Sequence, residues 1–215
     1  MDHQPRPGVR SKKRQRDRLI HWAATHPDWV LGFEDEVWWS RLAQPKLCTW
    51  AEEEPLRLVE QVVAKDDPDP KALACYGLLC PECDRIWVRF VDGGPKSVIT
   101  IQFLDWCSSQ LEAEGKTALL LVWDNATWHL SREVKAWLRQ HNRGVKEVGR
   151  GVRIITCQLP KRSPRLNPIE AHWVQGKRAV VEPDRLLPAR KLAERVCDYF
   201  DCPYEAHLSI PNEVA

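Results

Sequence analysis

The chain has 215 residues, 43% of them hydrophobic, with 11 Trp and a formal net charge of +2. That is enough sequence and apolar surface for one domain with a real core, and the near-neutral total excludes a chain that is cationic throughout. No 18-residue apolar run is present, so no membrane span is expected, and no apolar segment follows the basic start, which excludes a secretory signal.

Residues 1–16 are crowded with cations, among them Arg6, Arg10, Lys12, Lys13, Arg14 and Arg16. They are expected to form a basic, disordered arm. A short helix is expected from Asp17 to His26, stopped by Pro27. Trp29 to Phe33 is a compact apolar run ending in Glu34-Asp35-Glu36 and predicts a strand; Val37 to Trp39 continue it or turn. Residues 51–70 are acidic and proline-containing and predict a variable loop.

Ala72 to Leu79 and Arg85 to Val91 predict a hairpin around Cys80-Pro81-Glu82-Cys83. The two cysteines have the spacing of half a zinc site, but no second half follows, and Pro with an acid between strands reads as a turn. Most of the eight cysteines sit inside apolar runs, as small buried residues do. With no export signal, disulfides are not expected, and the Asn125-Ala126-Thr127 sequon is set aside.

Ser97 to Ala113 carries Val98, Ile101, Leu104 and Leu111 at near-helical spacing. Ala118 to Trp123 is continuously apolar, the signature of a central strand buried on both faces, and it ends in Asp124-Asn125. Ser131 is placed to cap a helix running to about Gln140, and Asn142 to Gly151 reads as a Gly- and charge-rich connector. Val152 to Leu159 is another strand. Leu166 to Arg178 is a helix with Pro168 in its first turn, where proline is tolerated. Pro188 to Tyr199 is the last helix and the tail from Cys202 is irregular. Strands alternating with helices predict an α/β layer with a mixed sheet.

Asp35, Asp124 and Glu170 each have a local explanation as turn or helix-start residues. Together they say more. Ligands collect at the carboxyl ends of strands in open α/β sheets, and a helix beside the sheet can bring Glu170 to the same edge. Three carboxylates so gathered repel one another, and hard divalent ions relieve that repulsion. Two such ions roughly 3.5–4 Å apart can activate a nucleophile and stabilise a leaving oxygen in phosphodiester chemistry. Lys161, Arg162, Arg165 and Lys177 crowd around Glu170 and suit a polyanion. His129, five residues past Asp124, is placed either to meet substrate or to cap the turn. Asn167 is placed to cap the Glu170 helix, and Trp173 to fill the core.

Phe33-Glu34-Asp35-Glu36, the Leu121 to His129 segment with its Asp124-Asn125, and the run Leu159-Pro160-Lys161-Arg162-Ser163-Pro164-Arg165-Leu166-Asn167-Pro168-Ile169-Glu170 with Trp173 and Lys177 occur in that order. On these segments the chain resembles the catalytic domain of a DDE transposase of the mariner-like insertion-sequence group, over roughly residues 28–180. The resemblance implies an RNase H-like fold, a mixed five-stranded sheet flanked by helices. By analogy Asp35 ends the first strand, Asp124 ends the fourth, and Glu170 sits on the helix after the fifth. The triad binds two Mg²⁺ or Mn²⁺ ions, cuts DNA at the element's ends, and joins the freed 3′-hydroxyl to target DNA. The implied DNA contacts are His129, Lys161, Arg162, Arg165 and Lys177.

The expected organisation is a basic arm and short helix over 1–27, the catalytic domain over 28–200 and an irregular tail over 201–215. The expected partner is double-stranded DNA, held by a homodimer in a bacterial cytoplasm on nucleoid DNA. Three departures accompany the resemblance. The 45 residues between Asp124 and Glu170 exceed the usual spacing, which fits an insertion looped out at Asn142 to Gly151. Residues 1–27 are too few for an end-reading helix-turn-helix region, so a truncated transposase or a non-catalytic DNA-binding remnant is the alternative. Lys161-Arg162 stand where a proline-aromatic pair is usual.

Overall fold

Six consecutive apolar residues, Ala118–Trp123, form strand β4, and every one is buried. A strand buried on both faces needs neighbours on both edges and layers above and below. In this computed structural model, which describes residues 7–42, 63–161, 163–180 and 186–210, β4 is flanked by β1 (Trp29–Ser40) and β5 (Arg153–Gln158), both parallel to it. Beyond β1 lie β2 (Ala72–Cys80) and β3 (Arg85–Val91), paired antiparallel. The order is β3-β2-β1-β4-β5, a mixed five-stranded sheet. The cysteine turn of the hairpin is a 3-10 turn, Pro81–Cys83, and all cysteines among the described residues are free.

The helices are α1 (Pro7–Thr25), α2 (Ser97–Ala113), α3 (Arg132–Val148), α4 (Ile169–Val180) and α5 (Ala189–Tyr199). Side chains of a strand alternate between faces, and β1 divides accordingly. Leu31, Phe33, Val37 and Trp39 join a core with Leu19 and Ala23 of α1, Trp173 of α4 and Val196 of α5. Val30 belongs to the opposite core, with Phe103 and Leu104 of α2 and Val134 of α3. The irregular segment after α5 is also docked, since the Leu208 backbone N–H donates to the Phe90 carbonyl and Arg89 pairs with Glu205 at 2.9 Å. No helix among the described residues is long and apolar enough to cross a membrane.

Three expectations are corrected. The first is the disordered basic arm. From Pro7 onward it is the beginning of α1. Lys12, Arg16, Leu19 and Ala23 fall on one helical stripe, so the helix buries Leu19 and Ala23 at one end and reaches the sheet edge with its cations at the other. Lys12 Nζ donates to Asn125 Oδ1 (3.1 Å) and to the Leu159 carbonyl (3.3 Å), and an Arg16 guanidinium nitrogen lies 3.5 Å from the Leu166 carbonyl.

The second is the looped-out connector. α3 continues to Val148 and ends at Gly149, whose φ of 70° is the left-handed helix stop that glycine adopts without strain. Tertiary bonds hold this extension. Asn142 Nδ2 donates to the Ile154 carbonyl and Asn142 Oδ1 accepts from the Ile154 backbone N–H, each at 2.8 Å. One side chain thus does for the open edge of β5 what a neighbouring strand would do. The excess residues between Asp124 and Glu170 are helix, packed on the sheet.

The third concerns Asp35, which lies inside β1 and not at its end. Pairing with β4 stops at Phe33↔Val122, while pairing with β2 continues through Asp35↔Gly77 to Ser40↔Ala72. β1 therefore leaves β4 just before Asp35, and the gap opens on that side.

Gly77, opposite Asp35, is a position at which the fold demands a missing side chain. A Cβ there would collide with the Trp173 ring. Gly77→Ala is expected to displace Trp173 and cost about 1–3 kcal/mol of stability in urea unfolding; a variant as stable as the parent would show that Trp173 is not pinned there.

Candidate active site

The alternation of β1 sorts its three acids. Glu34 and Glu36 turn toward the α2–α3 side and Asp35 toward α4. Asp35 is half-buried, and its Oδ2 accepts a hydrogen bond from Trp173 Nε1 at 3.0 Å. Burial holds its carboxyl up at about 7, and the negative charges of Glu170 and Glu36 add to the effect. Glu170 comes from the first turn of α4. Its helix is tied to β1 by Asn167, which is buried and donates from Nδ2 to the Glu34 carbonyl at 3.0 Å. The expected capping by the Asn167 side chain is thus corrected: its amide anchors the start of α4 to the residue preceding Asp35.

Asp124 follows the last residue of β4, and its side chain is 53% exposed. Its Oδ1 accepts from the Ala126 backbone N–H at 2.7 Å and from His129 Nδ1 at 3.0 Å. The His129 hydrogen bond lowers its pKa. Asn125 donates to the Leu159 carbonyl at 2.6 Å, joining the ends of β4 and β5.

Asp35, Asp124 and Glu170 line one open cavity of about 360 Å³, together with Asn125, Lys161 and Asn167. They surround it without all touching. Among the described residues, the group whose ligand atoms all lie within 4.8 Å of one another is a different one, Glu34, Glu36 and His129, on the other side of β1.

That second group corrects the expectation for His129. It is 1% exposed and offers no surface to a nucleic acid. The ring stacks on Trp123 with centroids 4.5 Å apart. Nδ1 faces Asp124, while Nε2 lies 3.0 Å from Glu36 Oε1 and 3.2 Å from Glu34 Oε2. Burial alone would favour a neutral ring, but Glu34 and the bonds to Asp124 and Glu36 outweigh it and raise the pKa to about 11. Glu34 is 1% exposed, and burial pushes its carboxyl well above the usual range. The buried imidazolium, unlike a loop cap, braces β1 against the loop that carries Asp124.

The expected cationic residues among the described ones come from three separate segments. Lys161 stands exposed at the cavity, Arg165 lies exposed in a 3-10 turn, Pro164–Leu166, and Lys177 is exposed two helical turns beyond Glu170. Arg162 lies outside the described residues. Lys12 and Arg16 were not expected here. Their approach could have been read from the helical spacing that joins them to Leu19 and Ala23. Glu36 and Glu34 carried a weaker signal, the acid-acid-acid run after an apolar strand.

Asp35, Asp124 and Glu170 offer only carboxylate oxygens, the hard donors that Mg²⁺ and Mn²⁺ take. Asp35 is raised first by burial and then by its acidic neighbours, and among the described residues no cation forms an ion pair with it. The donor set fits divalent cations.

A family model described as DDE superfamily endonuclease matches residues 62–191. The Mos1 transposase paired-end complex with the left transposon end matches with a TM-score of 0.62 at 14% identity, covering 94% of this chain and 57% of that one. The Mos1 mariner paired end complex with Mn matches with 0.62 at 13% identity, over 94% and 57%. The catalytic domain of Mos1 mariner transposase matches with 0.58 at 14% identity, over 94% and 86%. The chain spans just over half the length of the Mos1 chains in the two complexes. At these identities the likeness is one of fold, and the fold is RNase H-like. No curated protein matches the chain in sequence.

His129→Ala leaves Glu34 and Glu36 without their buried counter-charge. It is expected to cost about 3–5 kcal/mol in urea unfolding, whereas Lys161→Ala, at an exposed site, stays within about 0.5 kcal/mol. Equal effects would contradict the bracing role of His129.

Proposed function

This chain belongs to the DDE superfamily endonucleases, and from that premise we propose that it is the catalytic part of a mariner-like DNA transposase, with residues 28–200 as its catalytic domain. The observation that carries the reading is one cavity lined by Asp35, Asp124 and Glu170, three hard ligands from β1, from the end of β4 and from the first turn of α4. We propose these three as the catalytic residues and as the ligands of two Mg²⁺ or Mn²⁺ ions. When bound, such ions lower the pKa of water and neutralise charge on a phosphodiester.

The chain's own residues do the positioning. Trp173 and Asn167 fix Asp35 and the start of α4, and His129 and the Ala126 N–H hold one oxygen of Asp124, leaving the other for a ligand. Hydrogen bonds of this kind to a ligand's other atoms set the direction of the ligating one. Lys161, with Arg162, Arg165 and Lys177, meets the phosphates of double-stranded DNA near the cavity. The chemistry is hydrolysis of the phosphodiester at an element end, with water's oxygen bonding to phosphorus as the 3′-oxygen leaves. Attack of the freed 3′-hydroxyl on a target phosphodiester then displaces its 3′-oxygen. Two copies are needed to bring two ends together, so the acting form is a homodimer on DNA, at work on nucleoid DNA in a bacterial cytoplasm.

The test is nicking of supercoiled plasmid by the purified chain with Mg²⁺ or Mn²⁺. Metal-dependent nicking is expected, with a loss of more than about 100-fold in Glu170→Ala, since that variant lacks one ligand. Nicking that persists in the variant would overturn the site. DNA binding without nicking from either protein would favour the non-catalytic remnant.

A further inference from the structure

α3 carries a pattern that neither the core nor the cavity uses. Arg132, Lys135, Arg139, Arg143 and Lys146 follow one another at intervals of three, four, four and three residues. At 3.6 residues per turn they stay within an arc of roughly 80°, along about 21 Å of helix. All five are exposed, while Val134 and Leu138, which pack toward the sheet, lie on another face of the same helix. Among the described residues none of the five side chains forms an ion pair or hydrogen bond. Like charges three and four apart destabilise a helix, so the stripe by itself works against α3.

The stripe has direction. It begins just after the segment bearing Asp124 and His129, at the catalytic edge of the sheet. It ends at an open cavity of about 550 Å³ at the opposite edge, lined by Lys116, Lys146, Arg150 and Arg153, with Glu112 as its acid. Arg150 is paired with Glu112 at 2.6 Å; among the described residues the other three cations form no ion pair, and Lys116 donates to the Pro27 carbonyl. Stripe and cavity form one electropositive path along the α2–α3 side of the sheet.

We propose that the outer face of α3 is a second DNA contact, a rail on which the phosphate backbone of a duplex lies between the catalytic edge and the basic cavity. The proposal rests on the DNA-cutting reading and adds a surface to it. Duplex DNA presents a charge roughly every 1.7 Å along its axis, so a row of cations about 21 Å long runs beside about a dozen phosphates of the opposite sign. A protein partner fits less well. Interface cores are depleted of charge, and the stripe itself bears no apolar side chain. Contacts of this kind supply affinity and orientation without reading sequence.

The test compares the parent chain with R139Q/R143Q/K146Q, three exposed positions outside the catalytic cavity, after thermal melts establish that both fold. Binding of a 30-bp duplex is followed by fluorescence anisotropy at several salt concentrations. The triple variant is expected to lower the slope of log K against log salt by about 2–3 and to bind at least about tenfold more weakly at low salt. Plasmid nicking at saturating protein keeps its rate. An unchanged slope overturns the rail, whether or not the parent nicks DNA. So does loss of polyglutamate binding with duplex binding intact, which would mark α3 as a surface for an acidic protein. Loss of nicking in Glu170→Ala with an unchanged slope in the triple variant would leave the catalytic reading standing and remove only the rail.

Discussion

Five acidic side chains, Glu34, Asp35, Glu36, Asp124 and Glu170, meet where β1 parts from β4. Carboxylates this close cannot all stay ionised in a half-buried place unless positive charge is brought to them. The fold brings it to the two sides in different ways. Under β1, toward α2 and α3, the His129 imidazolium sits between Glu34, Glu36 and Asp124. Over β1, toward α4, no cation among the described residues pairs with Asp35 or Glu170, although Lys161 lines their cavity and Lys12 bonds Asn125 at its rim, and burial above all holds the proton of Asp35 up to about pH 7. A strand that alternates faces thus makes, from three consecutive residues, one cluster held by a buried imidazolium and one without an ion pair among the described residues. The first braces the second, since Asp124 takes its bond from His129 and turns its free oxygen to the cavity.

The rest of the architecture delivers groups to that place. β4 is buried throughout, so its carboxyl end is a fixed point. β1 runs on past it, because β2 gives it a partner to Ser40. Asn167 ties α4 to the Glu34 carbonyl, and Gly77 makes room for the Trp173 ring that donates to Asp35. Lys12 reaches the same edge from α1, where it holds Asn125 and the end of β5. The dependence runs from strand register to side-chain direction to charge.

Much of this was legible in the sequence, and the failures share a cause. The hairpin, α2 and β4 were read from alternation, helical spacing and an unbroken apolar run, signals that arise within the element itself. The three acids around the cavity were found because each follows or opens such an element. The arm, the connector and the end of β1 were misread because tertiary bonds decide them. Lys12 and Arg16 look like a solvated charge run until Leu19 and Ala23 are set on the same stripe. Gly144 and the charges near it look like a loop until Asn142 bonds the edge of β5. Asp35 looks like a strand end until Gly77 pairs with it. His129 is the hardest case, because a histidine's role depends on what surrounds it, and its carboxylate neighbours Glu34 and Glu36 lie more than ninety positions away.

The central claim is that the carboxylates of the cavity repel one another and await divalent cations, and thermal unfolding of the parent and Asp35→Asn across about pH 4 to 9 tests it most directly. A carboxyl whose pKa is raised by folding from 3.8 to about 7 loses stability for the chain as pH climbs through that window, by at most about 4 kcal/mol. Without metal, the variant should therefore be the more stable protein above about pH 7, with its advantage shrinking toward pH 4. Mn²⁺ should raise the Tm of the parent far more than that of the variant. A variant less stable at every pH, with neither protein responding to Mn²⁺, would mean that Asp35 is a structural residue and the cavity no metal site.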